Sequence, residues 1–246
     1  MTVVKNNKDK LVWHTLTVPD VLLRLNATPQ GLSISETTKR LVEYGPNELV
    51  SVGGVSAITV FINQCKSPLI IILLLASLVS GFLGHGIESI AIAVIVLFSV
   101  GLGFTQEYRA ERALEALRKM AAPTATVLRG GEEMEISALE LVPGDVVLLE
   151  SGDKVPADLR LLQAVNLKID EAVLTGESVP SEKHHNELTK SDLALGDRHN
   201  LAYYGTAVSY GRGMGVVVET GMRTEFGRIA GMLQNVTTTI TPLQKN

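Results

Sequence analysis

Two long stretches without a formal charge constrain this chain more than any other feature. Residues 67–87 contain no Asp, Glu, Lys or Arg and are rich in Leu and Ile, and residues 89–106 are equally uncharged. At 1.5 Å rise per residue, a helix over either reaches roughly 27–32 Å, about the thickness of a bilayer's hydrocarbon core. Gly84-His85-Gly86 lies between them, which leaves room only for a reversal. The pattern predicts a two-helix transmembrane hairpin, with spans over about 67–84 and 87–106. A pair of buried helices in a soluble core is the competing reading. It needs partners that bury both helices on all sides, which the rest of the sequence does not supply.

The flanking charges orient the hairpin. Lys39, Arg40 and Lys66 precede it, Arg109, Arg112, Arg118 and Lys119 follow it, and its tip carries no Lys or Arg. By the positive-inside tendency, an integral, multi-pass placement with both termini cytoplasmic is predicted. Glu88 then falls at the far end, either as a solvated boundary residue or near an ion exit path. Residues 1–16 lack an apolar h-region and a cleavage site, so no cleaved signal peptide is expected. Cys65 is the sole cysteine, which rules out an intramolecular disulfide and reads as an interfacial side chain. A net charge of −4 with no basic stripe gives no reason to expect nucleic acid as a partner.

Around the hairpin the pattern changes twice. Residues 1–56 read as a cytoplasmic helical leader. Val18, Val21, Leu22 and Leu25 share one helical face, Ser33 and Glu36 fit a reciprocal capping box, and Ile34, Thr38, Leu41 and Val42 form a second face that Gly45-Pro46 ends. Residues 50–56 suggest a flexible joint, and Ile58, Phe61 and Ile62 suit a helix lying at a membrane surface. Residues 107–123 continue the second span as a charged stalk. Ala110, Ala113, Leu114 and Leu117 make its stripe, Glu115 and Lys119 pair, and Pro123 stops it.

From residue 124 the period becomes two. Strands are expected at 125–128, 134–136, 146–150, 159–165, 201–208 and 215–220, with a hairpin at Gly130-Gly131 and breaks at Pro143-Gly144-Asp145, Ser151-Gly152-Asp153 and Gly211-Arg212-Gly213. Short strands at this spacing suggest a small β-sandwich or jelly roll over 124–233. Phe226, Ile229, Ala230 and Leu233 mark a closing helix, residues 181–200 read as a polar exposed loop, and residues 234–246 read as a linker.

The chemistry-bearing stretch is Asp170-Glu171-Ala172-Val173-Leu174-Thr175-Gly176-Glu177-Ser178-Val179-Pro180. A carboxylate on a glycine-containing turn that projects from a rigid β domain is suited to orienting a water molecule. In hydrolysis of a phosphorylated carboxylate that water must sit in line with the leaving oxygen, and a glutamate accepting its proton supplies the alignment. The four letters Thr-Gly-Glu-Ser alone are moderate evidence, since a solvated polar turn reads the same way. His184 and His185 are adjacent rather than at ligand spacing, and His14 and His199 are isolated, so no metal site is expected.

In context the chain resembles the P-type ATPases, whose actuator domain carries a Thr-Gly-Glu-Ser loop. Pro143-Gly144-Asp145, Gly152-Asp153-Lys154-Val155-Pro156-Ala157-Asp158, Asp170-Glu171 and the segment from Leu174 to Pro180 occur in that family's order, after a two-span hairpin. Tyr44-Gly45-Pro46-Asn47-Glu48-Leu49 resembles the leader of the calcium and sodium/potassium branches, whereas Gln106-Glu107-Tyr108-Arg109-Ala110-Glu111 and Tyr210-Gly211-Arg212-Gly213 lean toward calcium pumps. No Cys-x-x-Cys leader points to the heavy-metal branch.

The resemblance implies a mixed membrane protein with a helical leader, a transmembrane hairpin and a mainly β, jelly-roll-like actuator. It implies that Glu177 positions water against an aspartyl phosphate, that Thr175, Gly176 and Ser178 shape the loop, and that Asp170 and Glu171 brace it. The family's Asp-Lys-Thr-Gly-Thr phosphorylation sequence does not occur here. ATP and Mg2+ therefore belong to a complete pump, no cofactor or metal is expected on this segment, and the chain alone is expected to be inactive. Its implied partners are membrane lipid, the transported cation, and the phosphorylation, nucleotide-binding and ion-binding parts of a pump. Three accounts follow: a fragment of a calcium-type pump, a pump for sodium, protons or manganese, or a stand-alone, non-enzymatic modulator of an intact pump.

Overall fold

The computed structural model describes residues 12–49, 57–120 and 123–236, with the backbone alone for 114–120 and 234–236. The joint expected at 50–56 and the end of the expected linker, 237–246, lie outside the described residues. The chain divides into two compact units, one holding the leader with the β-rich region and the other the apolar helices.

In the first unit, a 3-10 turn Trp13–Thr15 precedes helices α1 (Val18–Arg24) and α2 (Ile34–Tyr44). Ser33 caps α2 by accepting the Glu36 N–H at 3.3 Å. Only half of the expected capping box forms, because the Glu36 carboxylate takes the Arg40 Nε–H at 3.0 Å instead. The expected apolar face of α2 is also corrected, since Ile34 and Val42 are 68% and 85% exposed while Thr37 and Arg40 are buried. Arg40 turns inward because it has carbonyls to meet: its guanidinium donates to Leu25 O, Asn26 O and Pro143 O at 2.8–3.2 Å.

The second unit holds α3 (Ala57–Cys65), α4 (Pro68–Phe82) and α5 (Gly86–Met120). Within α5 the stretch Gly86–Ala113 is long and apolar enough to cross a membrane. Helix α4 has only 15 residues, about 22 Å, shorter than the span expected over 67–84. It reaches membrane length only together with α3, from which it is bent by 58°. Helices α4 and α5 touch where the Ser77 hydroxyl donates to Ser89 O at 2.9 Å and the Ser89 hydroxyl donates to Ser77 O at 2.8 Å. Helix α3 meets α5 through Phe61 on Phe104, centroids 6.2 Å apart, and through Gln64 Nε2 donating to Glu107 at 2.6 Å. The expected stalk is continuous with α5. Ala110 and Ala113 in its expected stripe are exposed, and the side chains from Leu114 onward lie outside the description.

The β-rich region is one antiparallel sheet of β1 (Thr124–Arg129), β2 (Glu132–Ser137), β3 (Val146–Glu150), β4 (Asp158–Asp170), β5 (Ser181–Glu182), β6 (Leu201–Ala202) and β7 (Ala207–Glu219), with a short α6 (Ala172–Thr175) and a closing α7 (Glu225–Val236). Its order is β2-β1-β3-β7-β4-β5, with β6 also on β4. The β1–β2 hairpin turns at Gly130 and Gly131 as expected, both at positive φ.

The strand expected at 201–208 splits into β6 and the start of β7, and the break expected at Gly211-Arg212-Gly213 is absent: β7 runs straight through it. Those glycines serve closeness. A β-carbon on Gly211 would come within 2.3 Å of Asn166 O, and one on Gly213 within 2.7 Å of Leu167, where β4 bulges against β7. The central strands read as near-continuous apolar runs because both faces are covered. Leu159, Leu161, Ile169 and Val217 fill the main core, while Leu162, Val216 and Val218 pack against Val21 and Leu22 of α1.

Candidate functional site

The Thr175–Ser178 loop projects from the end of β4. Asp170 Oδ1 accepts the Ala172 N–H at 3.0 Å and starts the turn. The Glu171 carbonyl then accepts the Leu174 and Thr175 N–H groups at 2.9 and 3.0 Å, closing the single turn of α6. Gly176 ends it in the left-handed region, φ 76° and ψ 2°, with open space where a side chain would stand. Glycine is needed here for its backbone conformation rather than for lack of room. Strand β5 returns the chain to β4, pairing Lys168 with Glu182 and Ile169 with Ser181.

One hydroxyl organises the turn. Thr175 Oγ1 donates to Glu171 O at 3.0 Å and accepts the Glu177 N–H at 3.2 Å. Gly176, Glu177 and Ser178 are exposed, and so are Val173 and Val179 on either side. The four residues singled out from the sequence thus form one solvent-facing loop, with the Glu177 carboxylate free to meet a second surface.

Asp170 and Glu171 differ from that loop and from each other. Asp170 is exposed and shapes the turn, whereas Glu171 is buried against Lys183, Nζ to Oε1 2.7 Å. Burial pushes the Glu171 carboxyl up, with Lys183 opposing, and pushes the Lys183 ammonium down, with Glu171 opposing. Lys183 lies in the stretch read as an exposed loop, a reading that holds for much of 181–200 and fails at its buried members. Lys183 and Asn200 are buried, and Leu188 N donates to His14 O at 2.9 Å.

The other motif segments build the scaffold. Asp145 forms two hydrogen bonds with Arg129, 3.0 and 2.8 Å, and accepts the Val142 N–H at 3.0 Å. Asn47 donates to Ala138 O and Pro156 O and accepts the Gly221 N–H, joining leader and sheet. Asp158 accepts the Tyr204 and Glu225 N–H groups at 2.9 and 2.8 Å, and burial pushes its carboxyl up to about 7.

Fully buried Arg160 has no place in the sequence-based reading, yet it donates to the carbonyls of Trp13, Leu16, Leu161 and Asn200. The available signal was a lone charge inside the apolar run 159–162. His14 is buried, its ring 3.0 Å from Lys190 O, and burial lowers its pKa. Among the described residues no group of three His, Cys, Asp or Glu side chains is placed to hold a metal.

The sequence that builds this loop, sheet and leader has relatives among known proteins. Residues 119–234 match the P-type ATPase actuator domain, and residues 13–80 match the cation transporter/ATPase N-terminus. The chain belongs to the P-type ATPases, of which it carries the N-terminal and actuator regions. It is 45% identical to a calcium-transporting ATPase of Bacillus subtilis over 95% of its own length and 26% of that protein's. With a calcium-transporting ATPase of Listeria monocytogenes the identity is 44%, covering 92% of this chain and 26% of the relative. With a sodium/potassium exporting P-type ATPase of Schizosaccharomyces pombe it is 42%, covering 85% and 20%. The chain therefore spans about a quarter of the length of these calcium-transporting relatives.

Proposed function

We propose that this segment is the actuator part of an ATP-driven cation pump, and that Glu177 orients the water that hydrolyses the pump's aspartyl phosphate. The observation that carries the reading is the loop itself. Glu177 stands exposed beyond a turn whose backbone is fixed through Thr175 to Glu171, so its carboxylate can approach a phosphate held on another part of the pump. Thr175 and Gly176 hold the turn, and Ser178 completes it. ATP and Mg2+ act in the remainder of the pump, outside this segment.

The domain division proposed is a leader over 1–56, a membrane hairpin over 57–106, a stalk over 107–123, a jelly-roll-like actuator over 124–233 and a linker over 234–246. Both termini are cytoplasmic in this reading. The apolar side chains of α4 and α5 support it, because Leu69, Ile72, Phe82, Ile87, Leu97 and Phe98 all face outward and suit lipid. Turning of the actuator would be passed to the spans through the unbroken helix α5. Calcium is the proposed cargo, on the strength of the bacterial relatives' names. The sodium/potassium exporting relative favours a second reading, another monovalent or divalent cation.

Glu177→Gln in the pump that carries this segment tests the central claim. Phosphorylation from ATP should survive, and decay of the phosphoenzyme should slow by about a hundredfold or more. Decay at the unaltered rate would remove Glu177 from this role. Uptake of calcium against sodium into vesicles separates the two cargoes.

A further inference from the structure

Behind the projecting turn, Lys183 and Glu171 are sealed from solvent, their side chains 0% and 3% exposed and 2.7 Å apart. A buried ion pair is a weak source of stability, since desolvating both charges offsets most of their attraction, but removing one partner strands the other. Such a pair holds two chain segments in one arrangement, and here the segments are the two limbs of the loop. Glu171 opens the turn, and its carbonyl accepts from both Thr175 N and Thr175 Oγ1. Lys183 leaves the other limb just after β5, its N–H donating to Leu167 O at 2.9 Å and its ammonium lying over the Tyr203 ring at 5.9 Å. From a third side Gly196 closes on Thr175, where a β-carbon would come within 3.3 Å of Thr175 Cγ2.

We propose that the buried Glu171–Lys183 ion pair is a positioning element for Glu177, bracing the two limbs so that the Glu177 carboxylate is presented in one orientation. The proposal rests on the reading of Glu177 as the water-orienting group. The path is short: Lys183 fixes Glu171, the Glu171 carbonyl fixes the Thr175 hydroxyl, and that hydroxyl holds the Glu177 N–H. A displacement of about 1 Å at an aligning group can cost a hundredfold in rate, so loss of the brace should be visible kinetically without loss of the domain.

The test measures phosphoenzyme decay in the pump carrying this segment, with Glu171→Gln and Lys183→Met each made alone and each combined with Glu177→Gln. Each brace variant alone should slow decay about tenfold to a hundredfold while phosphorylation from ATP persists. In the Glu177→Gln background neither should slow it further, because the brace acts only through Glu177. A role in general stability would not produce that saturation. Should Lys183→Met fail to fold, the near-isosteric Glu171→Gln decides alone. Unaltered decay in Glu171→Gln, or additive slowing on top of Glu177→Gln, overturns the brace while leaving the Glu177 reading intact. Unaltered decay in Glu177→Gln alone overturns that reading, and the brace proposal with it.

Discussion

In the unit formed by the leader and the sheet, Leu and Val lie inside and several of the largest polar side chains lie inside with them. Arg160, Arg40 and Asn47 each collect backbone carbonyls from segments far apart in sequence. In the helical unit the arrangement is inverted. Leucines and isoleucines of α4 and α5 face outward, and the polar contact between these helices is the small one at Ser77 and Ser89. The difference shows what holds irregular chain in place. Besides the packing of Val21 and Leu22, cations and amides grip the leader's carbonyls, which cannot be left dry and unpaired. The apolar helices satisfy their own backbone, and the little polarity they carry aligns two helices that already fit their surroundings.

Arg160→Met should break this contrast most severely. The methionine keeps the bulk but removes the guanidinium from the carbonyls of Trp13, Leu16 and Asn200, and leaves those of Trp13 and Asn200 only the Leu16 and Leu161 N–H groups. Burial lowers the Arg160 pKa only to about 10, so the guanidinium is charged at neutral pH. Its removal should cost about 3–5 kcal/mol, because several charge-assisted hydrogen bonds of about 1.5–3 kcal/mol each are lost together. Trp13 is the only tryptophan of the chain, so its emission during denaturant unfolding reports the leader directly. A loss below about 1 kcal/mol would mean that burial of Val21 and Leu22 holds the leader without the polar grip.

This contrast also separates what the sequence makes legible from what it hides. The β1–β2 hairpin, strand β3 and the Ser33 cap follow from local chemistry: glycines at positive φ, alternation, and an oxygen beside free N–H groups, whereas the four residues of the projecting loop stand out through the order of the motifs around them. The differences arise where a distant partner overrides a local signal. Periodicity assumes that the apolar side of a helix is the buried side, and α2 reverses this because Arg40 has carbonyls to satisfy. The polar stretch around Lys183 points it to solvent, and nothing local reveals Glu171 waiting behind it. Gly211 reads as a break because glycine usually is one, whereas here it admits the Asn166 carbonyl of the neighbouring strand.

Asp158 sharpens the comparison through pH, with a smaller effect. Burial raises its carboxyl to about 7, well above the roughly 3.9 of an unfolded chain. Between those values the folded state binds more protons than the unfolded state, so the group's contribution is complete below about pH 4 and is lost as pH rises through about 7. Glu219, also raised by burial, acts in the same direction. His14 acts in the opposite one: burial lowers it, so its contribution is lost as pH falls below its unfolded value near 6.5. Comparing the chain with its Asp158→Asn variant isolates the one group. Between pH 4 and 7.5 the parent should lose about 3–4 kcal/mol relative to the variant, read from Trp13 emission. A difference that stays constant with pH would mean that Asp158 remains ionised when folded, stabilised by the Tyr204 and Glu225 N–H groups.

The smallest expected effect lies in the apolar unit. Ser77 and Ser89 exchange hydroxyl-to-carbonyl hydrogen bonds and their hydroxyl oxygens lie 3.2 Å apart, while Gly81 lets the helices approach, a β-carbon there meeting Ser89 Oγ at 3.3 Å. Hydrogen bonds between helices in lipid contribute about 0.6 kcal/mol on average, and rarely more than about 1.7. Ser77→Ala should therefore speed amide exchange in the first turns of α5 by about threefold in detergent micelles, and adding Ser89→Ala should bring little more, because the two hydroxyls serve the same contact. If Ser77→Ala instead released the two helices outright, the serine pair would be holding its unit together as Arg160 holds the leader, and the contrast between the two units would fail.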